Sequence, residues 1–276
     1  MIKRLIPIVI MLLLALAAAG IFLPKDYDSQ EQVFFTVAEG EGLREIARNL
    51  DKDGLIWQAT FFEAYALLRG RAGNLQAGSY LLSASMNVSQ IMEKLFSGDV
   101  AKETVTIPEG FTADQIRQKL EDVTADALLN LEECQGYLFP DTYYIPHGAS
   151  QDEIVGMMID NFERKTADLP VTSEVVIMAS ILEKEVKTEE EKELAAGVLW
   201  KRLSQGWFLQ VDACPWTYEN RGLPPRPICN PGLESITATL YPENSQYWYY
   251  ISKPDGETIF QRTLEEHNAA KAEYLK

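Results

Sequence analysis

Two glutamates, Glu183 and Glu185, lie two positions apart in the helical pattern of residues 173–187. At about 100° per residue they fall on opposite shoulders of an apolar face, so they cannot share one side of the helix. The apolar face itself consists of Val175, Met178, Ala179, Leu182 and Val186. Because Glu185 falls between the bulkier neighbours Met178 and Ile181, the pattern slightly favours Glu185 as the carboxyl that points inward.

The position of Glu185 along the helix suggests a chemical role. Thr188 to Glu191 read T-x-x-E, a capping box that starts a new helix, so Glu185 belongs to the last turn of the preceding one. Burial and the negative end of the helix dipole would both raise the pKa of a carboxyl there. A carboxylic acid that stays protonated near neutral pH can donate its proton to a departing glycosidic oxygen. A solvated residue or an ion-pair partner is the other interpretation.

Three segments ahead of this helix share one pattern, in residues 36–50, 81–95 and 106–120. Each begins as a short strand-like run, breaks at a turn and enters a helix that carries Ile and Leu four residues apart. The pattern predicts small α+β modules that pack side by side.

The sequence of the second half of the chain predicts an aromatic loop followed by a mixed α+β region. Residues 136–146 read G-Y-L-F-P-D-T-Y-Y-I-P, a loop that either lines a binding cleft or forms a corner of the core. The turn signal Pro254-Asp255-Gly256 predicts a hairpin around it. The predicted helices are 151–166, 173–187, 189–204 and 262–275, and the predicted strands are 207–212, 247–252 and 258–260.

The N-terminal segment predicts a membrane anchor. Leu5 to Pro24 form a run without a charged residue, and Lys3 and Arg4 precede it. A run of roughly 20 apolar residues matches the hydrocarbon core of a bilayer, and the positive charges place the rest of the chain outside the cytoplasm. The alternative is a cleaved signal peptide, because residues 16–20 read L-A-A-A-G.

Charge and cysteine content exclude some classes of function. The 25 Lys and Arg residues against 41 Asp and Glu residues give a net charge of -16, which argues against a nucleic-acid partner. Three cysteines without C-x-x-C spacing, in a chain with two histidines, disfavour a metal site. Cys214 and Cys229 could form a disulfide if the chain is exported, and three free thiols are the equally weighted alternative.

Several motifs together resemble a known family along essentially the whole chain. They are A-G-S-Y (77–80), E-G-F-T (109–112), G-Y-L-F-P-D-T-Y (136–143), M-A-S-I-L-E-K-E (178–185), W-K-R-L (200–203), L-Q-V-D (209–212), G-L-P-P (222–225), N-P-G (230–232) and His267-Asn268. In this order they resemble the MltG-type (YceG-like) membrane-anchored endolytic murein transglycosylases.

The resemblance implies a fold and a reaction. The fold class is α+β, with a transmembrane anchor at 1–26, a LysM-like region at 27–122 and a lysozyme-like catalytic domain at 123–276. The implied reaction is cleavage between N-acetylmuramic acid and N-acetylglucosamine with a 1,6-anhydro product. Glu185, the second glutamate of E-K-E, would act as the single acid and base, without a metal or another cofactor.

The resemblance also implies substrate contacts and partners. The candidate substrate-binding residues are Gln210, Asp212, Asn230, Tyr143 and Asp141, although Asp141 and Asp212 also fit turn or cap positions. The implied partners are peptidoglycan strands, the membrane and the peptidoglycan synthesis complex.

One segment departs from the family pattern. Residues 213–221 bridge L-Q-V-D and G-L-P-P where family members carry a longer stretch that ends in an N-T-Y-type motif, and Trp216-Thr217-Tyr218 is what remains of it. The short segment favours an alternative function, a catalytically degenerate, membrane-anchored scaffold that binds peptidoglycan. A conventional hydrolase would need a second carboxylate, from Glu183, Asp141 or Asp212, across the sugar site from Glu185.

Overall fold

The structure, a computed structural model, describes residues 2–71, 73–121, 123–124 and 131–274. It divides into two compact units. The first consists of Met1–Glu103 and Tyr144–Gly148, and the second of Thr104–Tyr143 and Ala149–Lys276. The domain boundary predicted at residue 122 falls on a position outside the described residues, and the division of function between two domains stays a prediction.

The first unit contains a strand–helix–helix–strand arrangement followed by a further helix. Strands β1 and β2 pair antiparallel, with Val33 opposite Leu82 and Val37 opposite Gly78. The elements are α1 (Ile2–Phe22), β1 (Val33–Val37), α2 (Leu43–Lys52), α3 (Ala59–Leu68), β2 (Gly78–Leu82) and α4 (Val88–Ser97).

In the first unit, the buried residues recur with the period of the strand or helix that carries them. Phe35 and Val37 alternate with exposed residues along β1, and Ile46 and Leu50 are fully buried on one side of α2. Helix α4 begins at a capping box between Asn87 and Gln90, which fixes where the strand-to-helix turn ends.

The repeated strand–turn–helix pattern is confirmed. β1 leads into α2 and β2 into α4, while β3 (Lys102–Thr106) leads into α5 (Ala113–Leu120). β3 and β4 (Thr142–Pro146) form another two-stranded sheet, and the chain passes between the two units within these strands.

The N-terminal helix α1 spans Ile2–Phe22, and its side chains are described from Ile6 onward. Over the side chains that the structure describes, no helix combines the length and the apolar character needed to cross a membrane. The membrane anchor at 1–26 stays a prediction.

The second unit is helical, with one hairpin. A short 3₁₀ helix spans Glu132–Cys134, and β5 (Tyr249–Ser252) pairs antiparallel with β6 (Thr258–Gln261). Its other elements are α6 (Gln151–Thr166), α7 (Ser173–Glu185), α8 (Glu189–Ser204), α9 (Trp216–Glu219), α10 (Leu233–Leu240) and α11 (Leu264–Tyr274).

Helix α7 lies between two hydrophobic clusters of this unit. Met178 and Leu182 pack in one cluster with residues of α8, and Val176 and Ala179 pack in the other with Ile236 of α10. All five apolar-face residues predicted for this helix are buried. Because α7 is enclosed on two sides, its last turn is held rigidly, and that turn carries both glutamates.

Most predicted elements of the second unit are confirmed, with one exception. The hairpin and the helices occur close to their predicted bounds, and α7 ends at Glu185 rather than at residue 187. The strand predicted at 207–212 is wrong, because these residues pair with no strand. Leu209 and Val211 are buried as the alternation requires, but Gln210 has φ 52°, which breaks an extended run.

Candidate active site

Glu185 is the last residue of α7, and its side chain accepts hydrogen bonds from two other segments. The Ala213 backbone N–H donates to Oε1 at 2.8 Å, and the Tyr250 hydroxyl donates to Oε2 at 3.3 Å. The Ser252 hydroxyl donates to the backbone carbonyl of Glu185 at 3.3 Å. Its carboxyl is therefore fixed from three directions: α7, the segment after α8, and strand β5.

Burial raises the pKa of Glu185 above its ordinary value, and this is the largest influence on it. The negative charge of Asp212 adds to the increase, whereas the hydrogen bonds from Ala213 and Tyr250 oppose it. The net result is a carboxyl that holds its proton to higher pH than a solvated glutamate. That is the property needed in a general acid.

The short segment after α8 is shaped by Thr217, which is fully buried. Its hydroxyl accepts a hydrogen bond from the Val211 N–H at 3.0 Å and donates to the Cys214 carbonyl at 2.7 Å. The Gln210 N–H donates to the Thr217 carbonyl, and Gln210 adopts a left-handed conformation (φ 52°), which is uncommon for a residue other than glycine. This local fold presents the Ala213 N–H to Glu185.

Strand β5 lies on another side of the Glu185 carboxyl. Tyr250 and Ser252 are two residues apart, so their side chains point to the same side of the strand, and both contact Glu185. Burial and the nearby Glu185 charge raise the pKa of Tyr250 well above its ordinary value, so its hydroxyl remains a donor.

These segments surround a cleft of about 260 Å³ within the second unit. It is lined by Glu185, Arg202, Gln210, Asp212, Tyr218, Tyr249, Tyr250, Ile251, Ser252, Leu264, His267, Asn268 and Lys271. Of the predicted site residues, the cleft brings together Glu185, Gln210 and Asp212.

Asp212 is a second carboxylate in this cleft. The Tyr218 hydroxyl donates to its Oδ1 at 2.5 Å, and the pKa of Tyr218 is raised to about 12 by burial and by this contact. Asp212 itself is exposed. It can therefore contact a bound ligand or influence Glu185 through its charge.

Glu183 has a different environment, although it is only two residues away. Its side chain is 8% exposed and lies 3.6 Å from Nζ of the buried Lys192. It also accepts hydrogen bonds from the Gly232 N–H at 2.9 Å and the Ser235 hydroxyl at 2.7 Å. Glu183 is an ion-paired structural residue and does not line the cleft.

Asn230 does not line the cleft either. It is fully buried, and its Oδ1 accepts hydrogen bonds from the N–H groups of Gly136 at 2.7 Å and Leu138 at 3.0 Å. Its Nδ2 donates to the Phe111 carbonyl at 2.9 Å. Asn230 thus joins the aromatic loop to the segment before α5, which is a structural task.

Tyr143 and Asp141 form a third group away from the cleft. The Tyr143 hydroxyl donates to the Phe139 carbonyl at 2.5 Å, and Asn161 donates both to that hydroxyl and to Asp141 Oδ2. The Asn161 hydrogen bond is also the main reason why the pKa of Asp141 is lowered. The Thr142 N–H donates to Asp141 Oδ1 at 2.8 Å, which matches the turn role considered for this residue.

The three cysteines are free thiols in the structure. Cys214 and Cys229 are both buried, and the Cys229 thiol donates to the Ser180 carbonyl at 3.2 Å. Of the two alternatives drawn from the sequence, the structure therefore contains the free thiols rather than a Cys214–Cys229 bridge.

The sequence alone does not identify several cleft residues. Tyr250 lies inside a predicted strand, but the sequence does not show what that strand faces, and Tyr218 stands out only as part of a shortened motif. Arg202 and His267 stand out only as members of motifs. The strand period would have placed Tyr250 and Ser252 on one face, but only the fold shows that this face meets the end of α7.

Comparisons with known proteins show similarity along most of the chain. The model of the YceG-like family matches in two stretches, residues 35–216 and 215–273, which meet within the short segment 213–221. An endolytic murein transglycosylase of Bacillus subtilis is 28% identical, over 91% of this chain and 87% of that protein. An endolytic murein transglycosylase of Streptococcus pneumoniae is 27% identical, over 92% of this chain and 60% of that protein.

A solved structure shows the same likeness in three dimensions. The crystal structure of a YceG-like protein from Listeria monocytogenes superposes with a TM-score of 0.54 at 28% identity. The match covers 88% of this chain and 100% of that one. Since the family model matches most of the chain, the chain belongs to the YceG-like family.

Proposed function

We propose that this protein is an endolytic lytic transglycosylase that cuts peptidoglycan glycan strands between N-acetylmuramic acid and N-acetylglucosamine. The observation that carries the proposal is the placement of Glu185, a largely enclosed carboxyl with a raised pKa that faces a polar cleft. The names of the relatives from Bacillus and Streptococcus support the same activity.

In the proposed mechanism Glu185 acts twice. Its proton passes to the glycosidic oxygen as the bond to C1 of the muramic acid breaks, which leaves Glu185 ionised. The carboxylate then accepts the proton of the sugar's own C6 hydroxyl as that oxygen closes onto C1. The product is a 1,6-anhydro end, and Glu185 is protonated again without a water being consumed.

The surroundings of Glu185 suit both halves of this cycle. Burial and the charge of Asp212 favour the protonated form at the start. The Ala213 N–H and the Tyr250 hydroxyl donate to the two carboxyl oxygens and stabilise the ionised form in the middle. Gln210 and Asp212 line the cleft and are the proposed sugar contacts, whereas Asn230, Tyr143 and Asp141 are assigned to the framework.

Asp212 gives a second candidate function. As another carboxylate in the same cleft, it could act as the base or nucleophile of a hydrolase. The hydrogen bond that Asp212 accepts from Tyr218 favours a supporting role. A degenerate scaffold is disfavoured, because the shortened segment still supplies Ala213 and Tyr218 to the site.

We also infer an extracytoplasmic location on the membrane. The support comes from the sequence, in which Lys3 and Arg4 precede a charge-free run. An attached enzyme of this kind would reach newly made strands and work beside the synthesis complex, as the family resemblance implies. The β1–α2–α3–β2 order fits a LysM-like, glycan-binding module. Membrane fractionation would test the location, since recovery in the soluble fraction contradicts it.

End-group analysis tests the activity. Uncrosslinked glycan strands are incubated with the purified protein, and the new ends are identified by mass spectrometry. Anhydro ends support the transglycosylase, reducing ends support the hydrolase with Asp212, and intact strands support the scaffold. The Glu190→Gln variant serves as a matched control for Glu185→Gln, since Glu190 is an exposed glutamate that lies outside the cleft.

A further inference from the structure

The cleft holds a second group of charged residues that the proposed mechanism does not use. Arg202, from α8, is 6% exposed, and Lys271, from α11, is exposed at the same cleft. Within the described part of the chain, neither has a carboxylate within ion-pair distance. Two cations without acidic partners are notable in a chain with a net charge of -16.

The hydrogen bonds of Arg202 leave one side of its guanidinium available. Nε donates to the Trp248 carbonyl at 2.9 Å, and Nη1 donates to the Leu209 carbonyl at 2.6 Å. Nη2 makes no hydrogen bond to the described residues. It is not sealed from solvent, because no buried polar side-chain atom in that part of the chain lacks a partner. A buried guanidinium that is held by two carbonyls and open on one side is oriented towards a ligand in the cleft.

Arg202 and Lys271 are brought together around Tyr249 and His267. The Arg202 guanidinium lies over the Tyr249 ring at 5.3 Å, and the His267 ring stacks on Tyr249 at 5.1 Å. Lys271 follows His267 by about one turn of α11. Burial, with the charges of Lys271 and Arg202, lowers the pKa of His267 to about 4, so that this imidazole is neutral at neutral pH. Arg202 and Lys271 therefore form a positive subsite beside Tyr249 and His267.

We propose that Arg202 and Lys271 bind a carboxylate on the muramoyl residue of the glycan strand, an inference that rests on the proposed function. N-acetylglucosamine is neutral, whereas N-acetylmuramic acid carries a lactyl group. Its carboxyl is free when no peptide is attached, and an attached stem peptide supplies carboxylates of its own. A planar guanidinium matches a carboxylate through paired N–H donors, and an ammonium adds a point charge.

This recognition would set the register of the strand. Muramic acid occurs at every second sugar, so a carboxylate held at the positive subsite fixes which of the two kinds of glycosidic bond lies at Glu185. Chitin oligosaccharides, which lack the lactyl group, would then bind weakly although their sugar rings are otherwise alike. The positive subsite accounts for the selectivity of the cut, and Glu185 accounts for its chemistry.

The experiment varies the charge of the substrate and of the protein. Strands with stem peptides, strands stripped of peptides, and both kinds after conversion of their carboxyls to neutral amides are compared as substrates. Lys271→Met is the main variant, because Lys271 is exposed and its replacement leaves the fold intact. Lys119→Met removes an exposed lysine of α5 and serves as the control.

The wild type is expected to show a lower KM for carboxylated strands than for amidated ones. Lys271→Met should raise KM for carboxylated strands about threefold, the size typical of one exposed charge pair, with little change in kcat. The variant should not affect amidated strands, and Lys119→Met should affect neither. Preference for stripped strands identifies the lactyl carboxylate, and preference for peptide-bearing strands identifies a carboxylate of the stem peptide.

Arg202→Lys is the second variant, since it keeps the positive charge but loses the planar donor pair. Lysine cannot replace both carbonyl hydrogen bonds of Arg202, so the unfolding midpoint should fall. At a temperature below that midpoint, KM for carboxylated strands should rise about tenfold, as expected for a charge-assisted hydrogen bond, while KM for amidated strands should match the wild type. Equal KM values for carboxylated and amidated strands in the wild type would overturn the inference while leaving the proposed function intact.

Binding to the Glu185→Gln variant separates the two proposals. If no strand is cut but this variant binds carboxylated strands more tightly than amidated ones, the positive subsite stands and the transglycosylase is wrong. Addition of Lys271→Met should remove that difference in affinity. If the variant binds neither kind of strand, the positive subsite is refuted.

Discussion

The Tyr250 hydroxyl lies 3.3 Å from Oε2 of Glu185, so a buried phenol donates a hydrogen bond to the carboxyl at the end of α7. Burial raises the pKa of Glu185, and this hydrogen bond lowers it. Tyr250 itself keeps its proton, because its own pKa is raised well above the ordinary value. Burial is thus the main reason that Glu185 holds its proton strongly, and the Tyr250 hydroxyl reduces that effect.

Replacement of Tyr250 by phenylalanine should move the pH dependence of cleavage. Loss of the hydrogen bond removes an interaction that favours ionised Glu185, so the pKa of Glu185 should rise further. A general acid then stays protonated to higher pH, and the basic limb of the kcat/KM profile should shift upward. At the same time kcat should fall about tenfold, because the carboxylate formed in mid-cycle is less stabilised.

Tyr241→Phe is the matched control for that profile, since Tyr241 is exposed and lies outside the cleft. Its profile should coincide with that of the wild type. A basic limb that stays in place or moves to lower pH in Tyr250→Phe would show that Glu185 is not the group that titrates.

The two glutamates of α7 should differ in their effect on stability. Glu183→Gln removes the buried one of the two carboxylate partners of Lys192 and leaves only the exposed Glu234, so we expect the free energy of unfolding to fall by about 2 kcal/mol. Glu185→Gln should not lower the free energy of unfolding at neutral pH, because it replaces a carboxylate that burial penalises. Urea unfolding of both variants and the wild type measures the difference.

The pH dependence of this stability follows from the raised pKa of Glu185. A raised folded-state pKa contributes stability below the unfolded-state value of about 4.3, and that contribution is lost as the pH rises through the folded-state pKa. The stability of Glu185→Gln relative to the wild type should therefore increase as the pH rises above about 4.3. A relative stability that decreases over this range would mean that Glu185 is stabilised in its charged form.

His267 should remain neutral over the range in which the enzyme is assayed. Burial and the charges of Lys271 and Arg202 lower its pKa to about 4. In a titration followed by NMR, its imidazole signals should stay constant from about pH 8 to pH 5. The chain has two histidines, so a His147→Gln variant assigns the signals. A transition near pH 6.5 would exclude the proposed proximity to two cations.

All three cysteines should titrate as free thiols in denaturant without a reducing agent. In the native protein Cys214 and Cys229 should react slowly, since both are buried and burial raises the pKa of Cys229 to about 12. Cys134, which is half-buried, should react first. A single reactive thiol in denaturant would instead establish a disulfide.

Local signals were sufficient to predict many elements. The capping box of Ser150 and Glu153 fixes the start of α6, and that of Thr188 and Glu191 fixes the start of α8. The turn at Pro254 to Gly256 joins β5 to β6 as predicted. In each case the residues that determine the structure are within a few positions of one another.

Sequence-based prediction is wrong or undecided where residues that are distant in the chain determine the local structure. Residues 207–212 alternate like a strand, but Thr217 and Arg202 take up hydrogen-bonding groups that a neighbouring strand would need. The helical wheel favours Glu185 only slightly as the inward carboxyl, and the structure encloses Glu183 as well, because α7 packs against two clusters. Lys192 and Ser235 hold the carboxyl of Glu183, and Tyr250 holds that of Glu185. These contacts exist only in the folded chain.

The central claim is that Glu185 uses the sugar's own C6 hydroxyl rather than water. Cleavage of glycan strands in water labelled with heavy oxygen tests it directly, with mass spectrometry of the new muramic acid ends. We expect 1,6-anhydro ends without the label, formed by the wild type and not by Glu185→Gln. Reducing ends that carry the label, or anhydro ends still produced by Glu185→Gln, would contradict the account.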